Sequence, residues 1–365
     1  MKGLPLRPLT LPSLRRRLLA VAALLLAPAL VATTPGVAEA ATRDRAEAAA
    51  GWLGRQVDPD SNLVENPTFG PDYGLTVDTV LALDAAQVGR RTARLATAAL
   101  KRSVLAYTGG GVATEYYAGA FAKLLLLADA QGADPRSFGG SARADLVAQL
   151  RALECGGASR NDCATGNKGR FSDISQWGDF SATIGQSLAI LALDRATRDG
   201  ASTASVRFLV RQQCANGAFP EQFGQSTCTG SVDATGYAVQ ALMAHGGRLA
   251  EQAARNAGRW LARQQQDNGS FMANSTRNAN STALAAQALQ AVGRNPKATE
   301  ARRYLNRLQL RCAAPAGKRG QVEYNRAGSG DAVRATAQAV PALARVTLDE
   351  VGVGGTRRGL PRLAC

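Results

Sequence analysis

The sequence predicts an all-α protein, an α6/α6 toroid (barrel) of about six helical-hairpin repeats. Three observations predict it. An aromatic-Leu-x-x-x-Gln-x-x-x-Gly-x-Phe string recurs along the chain. An Ala- and Leu-rich segment follows each copy. Signals for β-strands are sparse.

From the N-terminus, residues 1–40 read as a secretory signal peptide. Arg15, Arg16 and Arg17 precede an apolar run over 18–32, and Ala38-Glu39-Ala40 is an A-x-A cleavage site. That run is short for a membrane span, and no later stretch is long and apolar enough to make one. The expected product is a secreted, monomeric protein, exported by the general or the twin-arginine route.

Residues 41–346 form the expected toroid domain. Phe208-Leu209, Gln213, Gly217 and Phe219 have the same spacing as Trp260-Leu261, Gln265, Gly269 and Phe271. Tyr304-Leu305 with Gln309 repeats the first half, and Trp52-Leu53 opens the series with Val57 in place of glutamine. Leu150 with Gly169 and Phe171 is a looser copy, and 103–132 is the least regular. In each unit the first helix stops at a Gly/Asn/Asp loop such as Asp267-Asn268-Gly269. Second helices are expected over 79–86, 183–193, 235–243 and 282–292. They are apolar nearly all round, so they require burial nearly all round. An inner ring surrounded by an outer one satisfies that demand and leaves no unprotected end.

Residues 347–365 remain as a short tail. All six cysteines lie beyond the signal, and an even number in an exported chain predicts disulfides. Local pairing predicts Cys155–Cys163 and Cys214–Cys228, with Cys312–Cys365 tethering the tail. The chain has one histidine, His245, and no C-x-x-C pair, so no metal site is expected. The net charge is +15, but the basic residues are scattered rather than interleaved with aromatics. Nucleic acid is therefore not an expected partner, whereas an anionic envelope component is.

A polar stripe marks the second helices. Asp179 is followed seven residues on by Gln186, and Asp233/Gln240, Asn280/Gln287 and Asp331/Gln338 share the spacing. Such positions fall on one helix face, which Tyr237 shares. Helix capping accounts for Asp and Asn at these points, but not for the glutamines. The expected ligand site is a central cavity with Asp or Asn at its mouth and Gln deeper.

The repeat strings resemble those of the prenyltransferase and squalene-cyclase superfamily, the α/α toroids, over most of 45–345. The resemblance implies the fold, and implies that Gln213, Gln265 and Gln309 tie neighbouring repeats together. It implies no single activity. The Asp-x-Asp-Asp and Asp-Cys-Thr-Ala-Glu acids of the cyclases are absent, and His245 sits before Gly246-Gly247, where it reads as a helix C-terminal cap. The segments Ser231-Val232-Asp233-Ala234-Thr235 and Asn280-Ser281-Thr282-Ala283-Leu284 resemble inner helices of the cobalamin carriers, intrinsic factor and transcobalamin. That resemblance implies corrinoid contacts through Asp233 and Gln287, with Asp179 a third. About 20 residues follow Arg345, too few for the β-domain that closes over the ligand in those carriers.

The functional expectation is non-catalytic binding of a small molecule, corrinoid or isoprenoid-like, or of an envelope component. The first alternative is a cyclase-like, prenyltransferase-like or glycan-acting enzyme. A glycan-acting site would draw on Asp179, Asp233 or Asp331 and on Tyr116, Tyr117, Tyr237 or Tyr324. The second is a scaffold whose centre is filled by side chains.

Overall fold

The computed structural model describes residues 40–140, 143–156, 166–354 and 356–365. The signal-peptide reading of 1–40 thus falls almost wholly outside the described residues, as does Cys163. Thirteen α-helices are described: α1 (Arg45–Gly54), α2 (Tyr73–Ala85), α3 (Arg90–Arg102), α4 (Val104–Gly109), α5 (Ala118–Ala130), α6 (Leu146–Arg151), α7 (Thr183–Ala196), α8 (Thr203–Arg211), α9 (Val232–His245), α10 (Arg248–Gln264), α11 (Ala279–Ala291), α12 (Asn295–Leu308) and α13 (Ala332–Ala344). The strands are two- and three-residue pairs, among them Ala41–Thr42 parallel to Arg362–Leu363.

The apolar helices pack in a circuit. α2 contacts α5, α5 contacts α7, and the chain of contacts runs on through α9, α11 and α13 back to α2. α3, α6, α8, α10 and α12 each lie on the circuit helix before them, while α1 lies on α13 and α2. Composition explains the layering. Ala189–Leu193 of α7 and Ala283–Leu289 of α11 are unbroken buried runs, whereas α10 alternates buried Ala253, Ala257 and Leu261 with exposed arginines.

The repeated Gln and Gly have specific work. Gln213 Nε2 donates to Gly217 O of its own loop and to Ala253 O of α10. Gln265 bridges Gly269 O and Lys297 O of α12 in the same way. Gln309 bridges Gly320 O and Arg45 O, so the last unit is tied to the first helix. Gly217 and Gly320 have φ of +95° and +97°, and a Cβ there would meet the Asn256 and Ala48 carbonyls. Only glycine permits both that backbone and that approach.

A second anchor joins each loop to the helix that follows. The hydroxyl of Thr235 accepts the Phe219 N–H at 2.9 Å; Thr76, Thr282 and Thr336 accept those of Val64, Phe271 and Val322 at 2.9, 3.0 and 2.9 Å. In α7 the place is taken by Gln186, whose Oε1 accepts the Phe171 N–H.

The tail crosses the C-terminal ends of the circuit helices. Leu348 N donates to Gln240 Oε1, Arg195 donates to the Leu348 and Val351 carbonyls, and Val353 N donates to Ala130 O. Disulfides join Cys214 to Cys228 and Cys312 to Cys365. The second ties down the end of the tail.

Candidate functional site

The anchors fix which side chains reach the centre. Two residues beyond them stand Asp78, Leu188, Tyr237, Leu284 and Gln338; five beyond stand Leu81, Leu191, Gln240, Gln287 and Pro341. Asp78, Leu81, Tyr237, Leu284, Gln287, Gln338 and Pro341 line one central void, closed at the tail end by Leu348. The void measures about 30 Å³, room for roughly two waters.

Charged groups gather where the circuit helices begin. Lys123 of α5 donates to Asp78 Oδ1 at 2.6 Å and to Gly74 O at 3.2 Å. Arg334 of α13 reaches Asp72 Oδ2 at 3.0 Å. Tyr237 and Tyr107 are enclosed among these groups. Burial drives both hydroxyls well above the ordinary tyrosine value, Asp78 adds to the shift, and Arg334 opposes it. Both phenols therefore remain protonated and are available as hydrogen-bond donors.

Asp233 completes the mouth. Burial raises its carboxyl pKa; Ser281 eases the shift without a hydrogen bond of normal geometry, and Glu221 adds to it. Its Oδ1 is buried and unpartnered among the described residues, and so are Asn280 Oδ1, Gln287 Oε1 and Gln338 Oε1. Buried acceptors normally find a donor; Gln287 and Gln338 line the void, and their two unpartnered oxygens call for water or a ligand bearing O–H or N–H groups. The loops that lead into α2 and α7 carry Phe69, Trp177 and Phe180, which are 85%, 74% and 62% exposed.

The nine residues of the predicted stripe separate into groups. Tyr237, Gln287 and Gln338 line the void; Asp233 acts on the Tyr237 hydroxyl, and Asp233 and Asn280 each stand two residues before the anchoring Thr of their helix. Gln240 is buried against the tail instead, with Oε1 on Leu348 N. Gln186 is committed to its anchor, donating also to Gly169 O and Ser205 O. Asp179 precedes α7 on an exposed loop, paired with Arg170 at 2.7 Å. Asp331 is exposed and caps α13 through the Arg334 N–H. The sevenfold spacing in α7 and α13 is therefore out of register with α9 and α11. Asp72, Asp78, Tyr107, Lys123 and Arg334 escaped sequence reasoning. Of these, Asp78 alone carried a signal, its position two residues past the anchoring Thr76, which a search for Asp/Gln pairs does not see. His245 pairs with Asp194 at 3.0 Å, at the far end of α9. Among the described residues no cluster of His, Cys, Asp and Glu has the makings of a metal site.

No family model matches the chain, and no curated protein does. Solved structures do. A protein from Actinoplanes has a TM-score of 0.56 at 18% identity, over 83% of this chain and 99% of its own. The type II terpene cyclase MstE from Scytonema has 0.57 at 15% identity, over 82% and 97%. A UGL variant with dGlcA-Glc-Rha-Glc has 0.53 at 11%, over 83% and 96%. At these identities the likeness is one of fold, and the chain shares the α/α-toroid fold with them.

Proposed function

We propose that the protein is a secreted, glycan-acting enzyme whose site is the mouth of an α6/α6 barrel of six helical hairpins. The observation that carries the reading is Asp233, a protonatable carboxyl with an unpartnered oxygen, set beside protonated Tyr237 and the Asp78–Lys123 pair. A carboxyl whose pKa is raised by burial is suited to donate a proton to a leaving oxygen, and a nearby second carboxylate is the usual complement in sugar cleavage. In this reading Asp233 is the acid, Tyr237 donates to a ring hydroxyl, and Arg334 with Asp72 frames the opening. The exposed aromatics on the rim suit the apolar faces of sugar rings. A void of about 30 Å³ favours a ligand resting on the mouth over an isoprenoid chain threaded into the barrel. Secretion is supported by the two disulfides among the described residues, Cys214–Cys228 and Cys312–Cys365.

The test is to incubate the oxidised protein with neutral, acidic and amino polysaccharides and to follow release of reducing ends or short products. Release that falls at least 100-fold in Asp233→Asn, with the fold retained, is the expected result. Activity untouched by Asp233→Asn, or no product from any polymer, overturns it.

A second reading is corrinoid binding at the same mouth. It is favoured by the unpartnered oxygens of Asp233 and Gln287, which match amide N–H donors on such a ligand. Retained visible colour after desalting, lost in Asp233→Ala and Gln287→Ala, would select this reading instead.

A further inference from the structure

A second cleft lies apart from the void, between the first turns of α5 and α7. It holds about 290 Å³, near the lower end of the ~300–1,000 Å³ usual for small-molecule pockets. Its wall includes Tyr117, Phe171, Asp173, Phe180 and Ser181. Sequence explains the space. Ala118, Gly119 and Ala120 open α5, Ala182 and Gly185 flank the start of α7, and small residues on both helices leave the space unfilled while Gly119 and Gly185 approach closely, a Cβ on Gly119 lying 3.9 Å from the Gly185 Cα.

The chemistry of the cleft differs from that of the molecule. In a chain of net charge +15, the ionisable groups around it are Glu115, Tyr117, Asp173, Asp179 and Arg170. Arg170 is engaged by Asp179 at 2.7 Å, and the Glu115 carboxylate accepts the Tyr117 hydroxyl and the Gln176 N–H. Asp173 accepts the Ala118 N–H at 2.7 Å and has no cationic partner among the described residues. Half-buried beside Asp179, its carboxyl is raised to about 6. A desolvated carboxylate among aromatic rings is the setting that favours an organic cation.

We propose that this cleft is a subsite for a single sugar ring bearing a protonated amine, the ring lying against Phe180 and Tyr117 and the ammonium against Asp173. The proposal rests on the glycan reading for its ligand class, but apart from Phe180 on the rim its residues are distinct from those of the mouth. A bound ammonium favours ionised Asp173. Binding below pH 6 therefore expels a proton, and affinity falls as the pH drops from 7 to 5.

The experiment is a titration of the full oxidised chain with glucosamine, glucose and glucuronate at pH 7, read by calorimetry or ligand-observed NMR. Glucosamine is expected to bind at least tenfold more tightly than the other two. Asp173→Asn, which keeps an acceptor for the Ala118 N–H, should lose at least tenfold. Phe180→Ala, at an exposed position, should lose severalfold. Asp233→Asn should bind as the parent does. Equal binding of the three sugars, no binding, or binding sensitive to Asp233→Asn but not to Asp173→Asn overturns the proposal. Glucosamine binding that survives while Asp233→Asn leaves polymer cleavage untouched would retain the cleft and dismiss the mouth as the catalytic site.

Discussion

The Gln186 side chain accepts the Phe171 N–H at 2.9 Å while its amide donates to the Gly169 and Ser205 carbonyls. One buried side chain thus clamps the loop before α7 to the helix and to α8. Gln186→Ala would leave one donor and two acceptors without partners in a site closed to water. The cost expected is about 2–4 kcal/mol, since each buried unsatisfied group costs roughly 1–3 kcal/mol and the loop relaxes in part. Gln186→Thr, which restores the anchor used by the other helices, should recover only part of it. Urea unfolding midpoints check the order.

Asp84, near the end of α2, is fully buried, with Oδ2 accepting from Gln131 and Oδ1 unpartnered among the described residues. Burial raises its carboxyl to about 7. The native state therefore holds a proton that the unfolded chain releases near 3.8, and stability falls as pH rises from about 4 to 7. The whole shift is worth roughly 4 kcal/mol. Asp84→Asn should keep the Gln131 contact, remove that slope, and raise the melting temperature at pH 8 while changing little at pH 4. A melting series over that range decides.

Leu348 closes the tail end of the central void, held by Gln240 and Arg195. Leu348→Ala should cost about 2–4 kcal/mol by enlarging the void. It should also open space for a small apolar probe such as xenon. Cys365→Ser, which frees the tail, should lower stability by about 2–4 kcal/mol and sensitise the last residues to protease. Unfolding curves combined with limited proteolysis test both.

The fold was legible because the Gln, Gly and aromatic positions answer to constraints that recur in each unit: a carbonyl to bridge, a backbone too close for a Cβ, a ring to bury. Gln213, Gln265 and Gln309 act as the resemblance implied. The geometry of the candidate site was legible only in part. Asp233 and Asn280 stand in register, so their spacing carried information. Asp179/Gln186 matched the spacing by chance, because in α7 a glutamine has taken the threonine anchor and shifted the pattern by several residues. Lys123 and Arg334 belong to no repeated pattern. Their place follows from three-dimensional proximity to Asp78 and Asp72, which spacing does not encode.

The Lys123–Asp78 pair offers the sharpest test of how the mouth is held. Both side chains are largely buried, at 19% and 13% exposure. Lys123→Met leaves Asp78 uncompensated beside Tyr107 and Tyr237, whose hydroxyls its charge already affects. Loss of one partner from a buried pair is expected to be costly, about 2–3 kcal/mol at this partial exposure, because the remaining charge stays desolvated. Asp78→Leu combined with Lys123→Met removes both charges and should recover most of that loss. A double-mutant cycle read by thermal unfolding measures the coupling. Coupling below 0.5 kcal/mol would mean that the pair is solvated in solution and that Asp78 is held by other groups.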